Sequence, residues 1–239
     1  MLLYYIRHGF PTYHPDCLTP LGHRQAESVC RRLSVNGIDR IFASTSQRAK
    51  ETAQPLCEIL GKEMELVDFA NEKYAAEYFV IDGVDGYLGW AAGDKKLRHS
   101  FFKPEVRAMG RDWYNHPDFE GYGFDKGINR AEKQIDEFLE SLGYRHNREK
   151  GYFEVINPNN DRVALFAHAG FGQLFASTVL DIPYPDITMK FSMNHTGMTV
   201  FNFKDEDGIC IPNVLMYSGD GHLYKDSLPT DYIGQGPKI

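Results

Sequence analysis

Three predicted strands lead into residues that could bind or attack a phosphate group. The first, YYIRHG, ends in Arg7, His8 and Gly9, and a second, LFAHAG, ends in His168. The segment IFASTSQR leads from a third strand to Arg48. Active groups collect beyond the carboxyl ends of the strands in α/β sheets, so we expect the two arginines and two histidines to lie together.

Two arginines and two histidines suit the transfer of a phosphoryl group. Arginine stays charged at physiological pH and binds phosphate oxygens in a bidentate manner. A neutral imidazole can attack phosphorus and carry the phosphoryl group, while the other groups stabilise the charge on the equatorial oxygens. Helix N-termini after the glycines would add backbone donors. Such a site needs no metal or other cofactor, and we find no obvious metal-ligand spacing.

Alternating strand and helix patterns predict the framework that positions these residues. Helices are expected over 19–33, capped by Thr19, over 46–60, closed by Gly61, and over 128–142, with a further helix in FGQLFASTVL. Pro55 should kink the second helix or reset its start. The segments YFEVI and DRVALFA are expected to pair as a β-hairpin through the turn NPNN. We predict an α/β fold, a three-layer α/β/α sandwich around a mostly parallel mixed sheet.

Residues 73–127 break the alternation and predict an insertion or cap within a single domain spanning 1–239. Glycines and aromatic residues are dense there, and periodicity is weak. The stretch 94–111 contains six Lys or Arg residues and two acidic residues, although the whole chain carries a net charge of −7. This basic stretch is either a solvated helix face or a rim that steers an anionic substrate. The main role expected for the aromatic residues nearby is to form the core of the cap, and their lesser role is to form a wall of the substrate site.

Composition excludes several other classes of protein. The net charge of −7 argues against binding to nucleic acid or to an anionic membrane. None of the four cysteines forms a CxxC pair or is followed by arginine at the sixth position, which removes the usual cysteine-based phosphatase loop. No apolar run approaches the length of a membrane span. We therefore expect a cytoplasmic protein with reduced thiols; the oligomeric state cannot be inferred from the sequence.

The motifs RHG, LTPLGHRQA, STSQRAKETA and FAHAGF resemble the histidine phosphatase superfamily, also called the phosphoglycerate mutase-like family. MNHTGMTVFNF and SGDGHL resemble its C-terminal strands, so the motifs cover roughly residues 1–72 and 152–223. The resemblance implies that His8 is phosphorylated, that Arg7 and Arg48 bind the phosphoryl group, and that His168 hydrogen-bonds the transferring oxygens. We add the backbone at Gly9 and Ala169 to the predicted substrate-binding set.

The resemblance also implies an acidic proton donor after the third strand. In mutases it lies in an L-N-E-R segment, and ANEKY brings Glu72 to that position, with Lys73 in place of the arginine. Glu77, in YAAEYF, is the alternative, because apolar neighbours can hold a carboxylic acid protonated at neutral pH. His14 stands where the family often has asparagine, and we expect it to affect the phosphate pocket. His195 and His222 are assigned to turns or packing.

Three functions are compatible with these motifs. The leading hypothesis is a phosphatase that takes a small phosphorylated substrate, forms phosphohistidine on His8 and releases inorganic phosphate. The second is a phosphoglycerate mutase with the same site, because LRHSFFKPE loosely resembles the mutase segment R-R-S-F…P. The third is a catalytically weak binding or regulatory protein, against which the presence of both arginines and both histidines argues.

Overall fold

The computed structural model describes residues 1–81 and 90–230. The strands are β1 (Leu2–Arg7), β2 (Pro11–Tyr13), β3 (Asp16–Leu18), β4 (Arg40–Ser44), β5 (Met64–Val67), β6 (Tyr144–Asn147), β7 (Tyr152–Val155), β8 (Arg162–Ala167), β9 (Met198–Asn202), β10 (Ile209–Cys210) and β11 (Asn213–Gly219). The α-helices are α1 (Pro20–Ser34), α2 (Gln47–Leu60), α3 (Glu72–Phe79), α4 (Lys95–Phe101), α5 (Pro104–Ala108), α6 (Phe124–Ser141), α7 (Ala169–Leu180), α8 (Tyr184–Lys190) and α9 (Gly221–Lys225).

The central sheet has six strands in the order β11-β9-β1-β8-β4-β5. The last four strands of that order run parallel to one another, while β9 and β11 are antiparallel to their neighbours. In the pairing of β1 with β8, Arg7 lies opposite Ala167. The residues that follow these two strands, His8 and His168, therefore leave the sheet side by side.

Alternation along the strands builds a core on each face of the sheet. Tyr4 and Ile6 pack with α1 and α2, whereas Leu3 and Tyr5 pack with α6 and α7 on the opposite face. The sequence of a strand that is buried on both faces is a continuous apolar run, which is why apolar and polar residues do not alternate in LLYYI. The predicted three-layer α/β/α fold is confirmed.

Local signals placed the ends of the first two helices correctly. The hydroxyl of Thr19 accepts a hydrogen bond from the Gly22 N–H at 3.1 Å and caps α1. Gly61 ends α2 in the left-handed conformation, with φ of 62°. The alternative that Pro55 resets the start of α2 is wrong, because the helix runs through it from Gln47 to Leu60.

The predicted hairpin between YFEVI and DRVALFA is wrong. Strand β7 pairs with β6 and β10 in a separate three-stranded sheet, whereas β8 lies between β1 and β4 in the central sheet. The true partner of YFEV is the segment YRHN, which precedes it in the sequence and which we did not predict as a strand. A fully buried apolar strand such as β8 needs a neighbour on each edge, and β1 and β4 satisfy both edges.

The region predicted as a cap carries α3 to α5 and short 3₁₀ helices over 91–93, 110–115 and 117–119. Its centre is Trp113, which contacts the rings of Phe101, Phe119, Phe124 and Tyr184 at centroid distances of 5.0 to 6.3 Å. These residues share one buried cluster with the sheet. The division into a single domain with an insertion stays a prediction. Residues 82–89 of the predicted cap and 231–239 of the predicted domain lie outside the described residues.

Candidate active site

The end of β1 brings Arg7 and His8 against the start of α7. The His8 N–H donates to the Ala167 carbonyl at 2.9 Å, and His168 occupies the N-cap position of α7 without a capping hydrogen bond from its side chain. The next residue, Gly9, crosses α1 so closely that a Cβ atom there would lie 2.6 Å from the Gly22 carbonyl oxygen. Glycine is therefore required at position 9 by the close approach of two backbones.

The ring of His8 is held in one tautomer. Its Nδ1 atom lies 2.7 Å from the Gly9 carbonyl oxygen, which can only accept a hydrogen bond. Nδ1 therefore carries the proton and Nε2 keeps its lone pair. Burial lowers the pKa of His8 well below its usual value, and His168, Arg7 and Arg48 lower it further. His8 is consequently neutral across the physiological pH range.

His168 is held in the opposite manner. Nη2 of Arg48 lies 3.0 Å from its Nδ1 atom, and a guanidinium can only donate, so Nδ1 of His168 accepts. Nε2 then carries the proton and lies 2.9 Å from the hydroxyl oxygen of Ser44 and 3.2 Å from that of Ser46. Burial, and then the charges of Arg48 and Arg7, lower the pKa of His168 well below its usual value.

Arg48 lies in the first turn of α2 and is oriented by Asp16, a residue that the sequence reasoning missed. Its Nη1 atom donates to Oδ1 of Asp16 at 2.7 Å, while Oδ2 of Asp16 accepts from the Gln47 N–H at 2.9 Å. Asp16 thus holds Arg48 and satisfies a backbone donor at the start of α2. The side chain of Arg48 is 11% exposed and that of Asp16 is 35% exposed, so water reaches this ion pair from the side of Asp16.

The structure brings Glu72, and not Glu77, to His168 and into the lining of the cleft. Oε1 of Glu72 accepts from the Phe171 N–H at 3.0 Å, and Oε2 lies 3.4 Å from Nδ1 of His168. Burial raises the pKa of Glu72 to about 7, although the Phe171 hydrogen bond and Arg48 pull it down. Glu77 instead forms a 3.4 Å ion pair with Arg130, and its side chain is 52% exposed.

His195 is a second residue that the sequence reasoning missed, since it was assigned to turns or packing. Its Nε2 atom lies 2.8 Å from Nη2 of Arg7, and its ring centroid lies 5.6 Å from that of His8. The other nitrogen of the Arg7 fork, Nη1, donates to the Met193 carbonyl at 2.5 Å. The segment MNHTG was recognised only as part of a strand motif, which offers no signal for a side-chain contact.

Several of these residues border a cleft of about 690 Å³ between the sheet edge and the cap region, whereas His168 and His195 lie behind its lining. Arg7, His8, Arg48, Glu72 and Ala169 line it, together with an apolar wall made of Tyr13, Val80, Trp90, Met189, Phe191 and Met193. His14, predicted to affect the phosphate pocket, lies exposed in the turn between β2 and β3 and does not line the cleft. Its neighbour Tyr13 does, with its ring centroid 5.3 Å from the Arg48 guanidinium.

The basic stretch 94–111 contains two residues in ion pairs and one that lines the cleft. Lys103 forms an ion pair with Asp118 at 2.7 Å, and Arg111 pairs with Glu132 and Asp181 at 2.7 and 2.6 Å. Of the six basic residues, Arg98 borders the cleft, and no ion pair is recorded for it within the described ranges.

The family comparison agrees with the motifs at the start of the chain. A model of the histidine phosphatase superfamily (branch 1) matches residues 3–77, which include Arg7, His8, Arg48 and Glu72. No curated protein matches the chain in sequence. The resemblance to this superfamily predicted from the sequence is confirmed.

Solved structures extend the likeness to nearly the whole chain. A phosphoserine phosphatase mutant from Entamoeba histolytica, in complex with phosphoserine, is 19% identical with a TM-score of 0.60, covering 93% of this chain and 98% of its own. An alpha-ribazole phosphatase from Shigella flexneri is 17% identical with a TM-score of 0.57, covering 92% and 97%. A mycobacterial glucosyl-3-phosphoglycerate phosphatase is 17% identical with a TM-score of 0.56, covering 91% and 98%. At these identities the likeness shows the fold, which is that of the histidine phosphatases.

No helix among the described residues combines the length and apolar character that crossing a bilayer requires.

Proposed function

We propose that the chain is a metal-independent phosphatase that hydrolyses a phosphomonoester through phosphohistidine on His8. The observation that carries the proposal is the tautomer of His8. Its Nδ1 proton is engaged by the Gly9 carbonyl, 2.7 Å away, so that Nε2 keeps the lone pair that a nucleophile needs. Arg7 and Arg48 line the same cleft and supply two permanent positive charges for the phosphoryl oxygens.

Phosphoryl transfer to the enzyme needs a proton donor as well as a nucleophile. Nε2 of His8 attacks phosphorus, the bond from phosphorus to the ester oxygen breaks, and the carboxyl proton of Glu72 passes to that oxygen. The raised pKa of Glu72, about 7, supports this role, because a large fraction of the acid is protonated at neutral pH. Arg7, Arg48 and His168 stabilise the charge on the three equatorial oxygens.

Hydrolysis of the phosphohistidine completes the cycle. A water molecule attacks phosphorus, the phosphorus–nitrogen bond to His8 breaks, and the Glu72 carboxylate accepts the proton that the water loses. Inorganic phosphate then leaves and Glu72 is again protonated. The phosphatases named among the similar structures support hydrolysis over the mutase reaction.

The lining of the cleft supports a substrate with an apolar surface and a second negative group. Trp90, Met189 and Phe191 offer an apolar wall for the leaving group, and Arg98 offers a cation. Phosphoserine and phosphoethanolamine differ by one carboxylate and make a matched pair of substrates. Arg98→Gln is expected to raise KM for phosphoserine about tenfold and to change KM for phosphoethanolamine by less than twofold, because one ion pair is lost.

Phosphate release from p-nitrophenyl phosphate, with a chelator present, tests the main proposal. Wild type and a control variant at an exposed histidine of α1, His23→Ala, are expected to turn over, while His8→Ala is inactive. Acid-labile phosphate on the protein should appear in the first two and be absent from the third. Equal turnover by His8→Ala would contradict the assignment of the nucleophile. Conversion of 3-phosphoglycerate without phosphate release would favour the mutase instead.

A further inference from the structure

The loop that precedes β9 holds the end of β1 through its backbone. The Arg7 N–H donates to the Gly197 carbonyl at 3.2 Å, and the Thr196 N–H lies 3.1 and 3.2 Å from the carbonyl oxygens of Arg7 and His8. Thr196 has φ of 54°, in the left-handed region that a β-branched residue rarely adopts. Such backbone strain is typical of sites where function fixes the conformation, and here it sets the direction of the neighbouring residue, His195.

His195 acts as a hydrogen-bond acceptor for Arg7. The guanidinium can only donate, so Nε2 of His195, 2.8 Å from Nη2 of Arg7, must carry a lone pair. Nη1 of Arg7 donates to the Met193 carbonyl in the same loop. Two nitrogens of the fork are thus tied to two points, which fixes the plane of the guanidinium.

His195 is itself held by the strained residue and by a second buried histidine. The Thr196 hydroxyl lies 2.7 Å from the His195 carbonyl oxygen, to which it donates, so its oxygen accepts from Nε2 of His222 at 3.0 Å. The carbonyl of His222 accepts in turn from the Ser28 hydroxyl at 2.8 Å. On its other side, the ring of His195 meets the ring of Phe10 at a centroid distance of 5.1 Å and an angle of 72°.

We propose that His195 is a positioning residue that aims the guanidinium of Arg7 at the phosphoryl group. His195 is 2% exposed and does not border the cleft, whereas Arg7 does, so His195 acts through Arg7 and not on the substrate. A bidentate contact with phosphate requires the guanidinium to lie in one plane. An arginine side chain that rotates freely would adopt this orientation only part of the time. This inference rests on the phosphatase function proposed above and adds to it.

Three substitutions separate positioning from simple packing. His195→Leu removes the acceptor, His195→Asn is too short to reach Arg7, and His195→Gln places an amide oxygen near the position of Nε2. KM for p-nitrophenyl phosphate and the dissociation constant of inorganic phosphate are expected to rise about tenfold in the Leu and Asn variants. The Gln variant should stay within threefold of wild type. If the Leu variant does not fold, the comparison of Asn with Gln carries the test.

A double substitution shows whether the effect passes through Arg7. Lysine cannot bind both Met193 and His195 as the guanidinium does, so in an Arg7→Lys background His195→Leu should change kcat/KM by less than twofold. An undiminished tenfold loss in that background, or Leu and Gln variants that behave alike, would overturn the proposal. Binding of inorganic phosphate, measured by calorimetry, needs no turnover. An inactive wild type whose phosphate binding depends on His195 would therefore refute the phosphatase and keep the positioning role.

Discussion

Oε2 of Glu72 lies 3.4 Å from Nδ1 of His168, although the two residues are far apart in the sequence. They meet because Glu72 begins α3 and His168 caps α7, whose first N–H groups point towards the carboxylate. Arg48 donates to the same Nδ1 atom from 3.0 Å. An acid, a neutral imidazole and a cation therefore lie in contact with one another, and the protonation of the acid is expected to set the pH dependence of the reaction.

Glu72→Gln tests the proton donor. The carboxyl must be protonated to act, and its pKa is raised to about 7, so kcat of the wild type is expected to fall as pH rises through that value. In the variant kcat for an alkyl phosphate should fall roughly 10²- to 10⁴-fold, the usual contribution of general acid catalysis, and the alkaline decline should disappear. Hydrolysis measured from pH 5 to 9 checks both.

A comparison of two leaving groups provides the control for this measurement. p-Nitrophenolate leaves without a proton, so the burst of p-nitrophenolate that accompanies phosphorylation of His8 should slow far less than phosphorylation by the alkyl ester in Glu72→Gln. Any acid limb that His8 contributes should lie well below the usual pKa of histidine, because burial, and then His168 and Arg7, lower its pKa. Equal losses with both esters in the phosphorylation step would argue against Glu72 as the proton donor, and Glu77→Gln would then be the next variant to measure.

Gly170→Ala is expected to displace the acid. A Cβ atom at position 170 would lie 2.3 Å from the Trp90 ring and 2.6 Å from Oε1 of Glu72, distances at which at least one of them must move. We expect phosphorylation of His8 by the alkyl phosphate to slow at least tenfold, and phosphorylation by p-nitrophenyl phosphate to slow less. In a Glu72→Gln background the same substitution should add little, because the group it disturbs is already gone. A full additional loss in that background would show that the damage lies elsewhere.

Tyr5→Phe tests how the two central strands are locked together. The Tyr5 hydroxyl donates to the His168 carbonyl at 2.6 Å and accepts from the His168 N–H at 3.2 Å. Removing it leaves a buried donor and acceptor without this partner, so the free energy of unfolding should fall by about 1–3 kcal/mol. Urea denaturation measures the loss, and kcat should fall with it because His168 is less well placed.

The matched control lies next to it on the same strand. Tyr4 faces the opposite side of the sheet, and no side-chain hydrogen bond is recorded for it within the described ranges. Tyr4→Phe should therefore change the free energy of unfolding by no more than about 0.5 kcal/mol. If the two variants were equally stable, the hydroxyl of Tyr5 would contribute nothing net.

Local and periodic signals explain what the sequence could predict. Apolar runs, the Thr19 cap and the Gly61 stop identify elements because their physical causes lie within a few neighbouring residues. The proximity of His8 and His168 could be predicted because the carboxyl ends of parallel strands lie at one edge of a sheet. The hairpin was wrong because pairing between strands is decided by which edges remain open in the finished sheet, which no short window of sequence records.

The parts of the candidate site that were missed depend on tertiary contacts. Asp16 reaches Arg48 from a hairpin, and His195 reaches Arg7 from a loop whose direction is set by one left-handed residue. The sequence favoured Glu72 by its place in the motif but kept Glu77 as the alternative, because apolar neighbours surround Glu77 whereas Asn71 and Lys73 flank Glu72. Only packing against α7 buries one of them and leaves the other exposed.

His146→Gln tests a charge network away from the cleft. The buried ring of His146 lies 3.0 Å from Asp136 on one side and 3.0 Å from Asp181 on the other, with Arg148 and Arg111 bound to the same acids and Phe153 stacked on the ring. Burial alone would lower the pKa of His146, but its hydrogen bonds to the two acids outweigh burial and raise it. A histidine whose pKa is higher in the folded state stabilises the protein fully below the unfolded value, and that stability is lost as pH rises through the folded value.

The free energy of unfolding of wild type, relative to His146→Gln, should therefore decline as pH rises from 6.5 to 8. The decline cannot exceed about 1.4 kcal/mol per pH unit, the limit for one proton. Urea denaturation at several pH values measures it, and taking the difference between the two proteins cancels the titration of Glu72, whose pKa of about 7 falls in the same window. A difference that stays constant over this range would mean that His146 does not change its charge there. A difference that grows with pH would mean that burial, and not the two acids, decides its pKa.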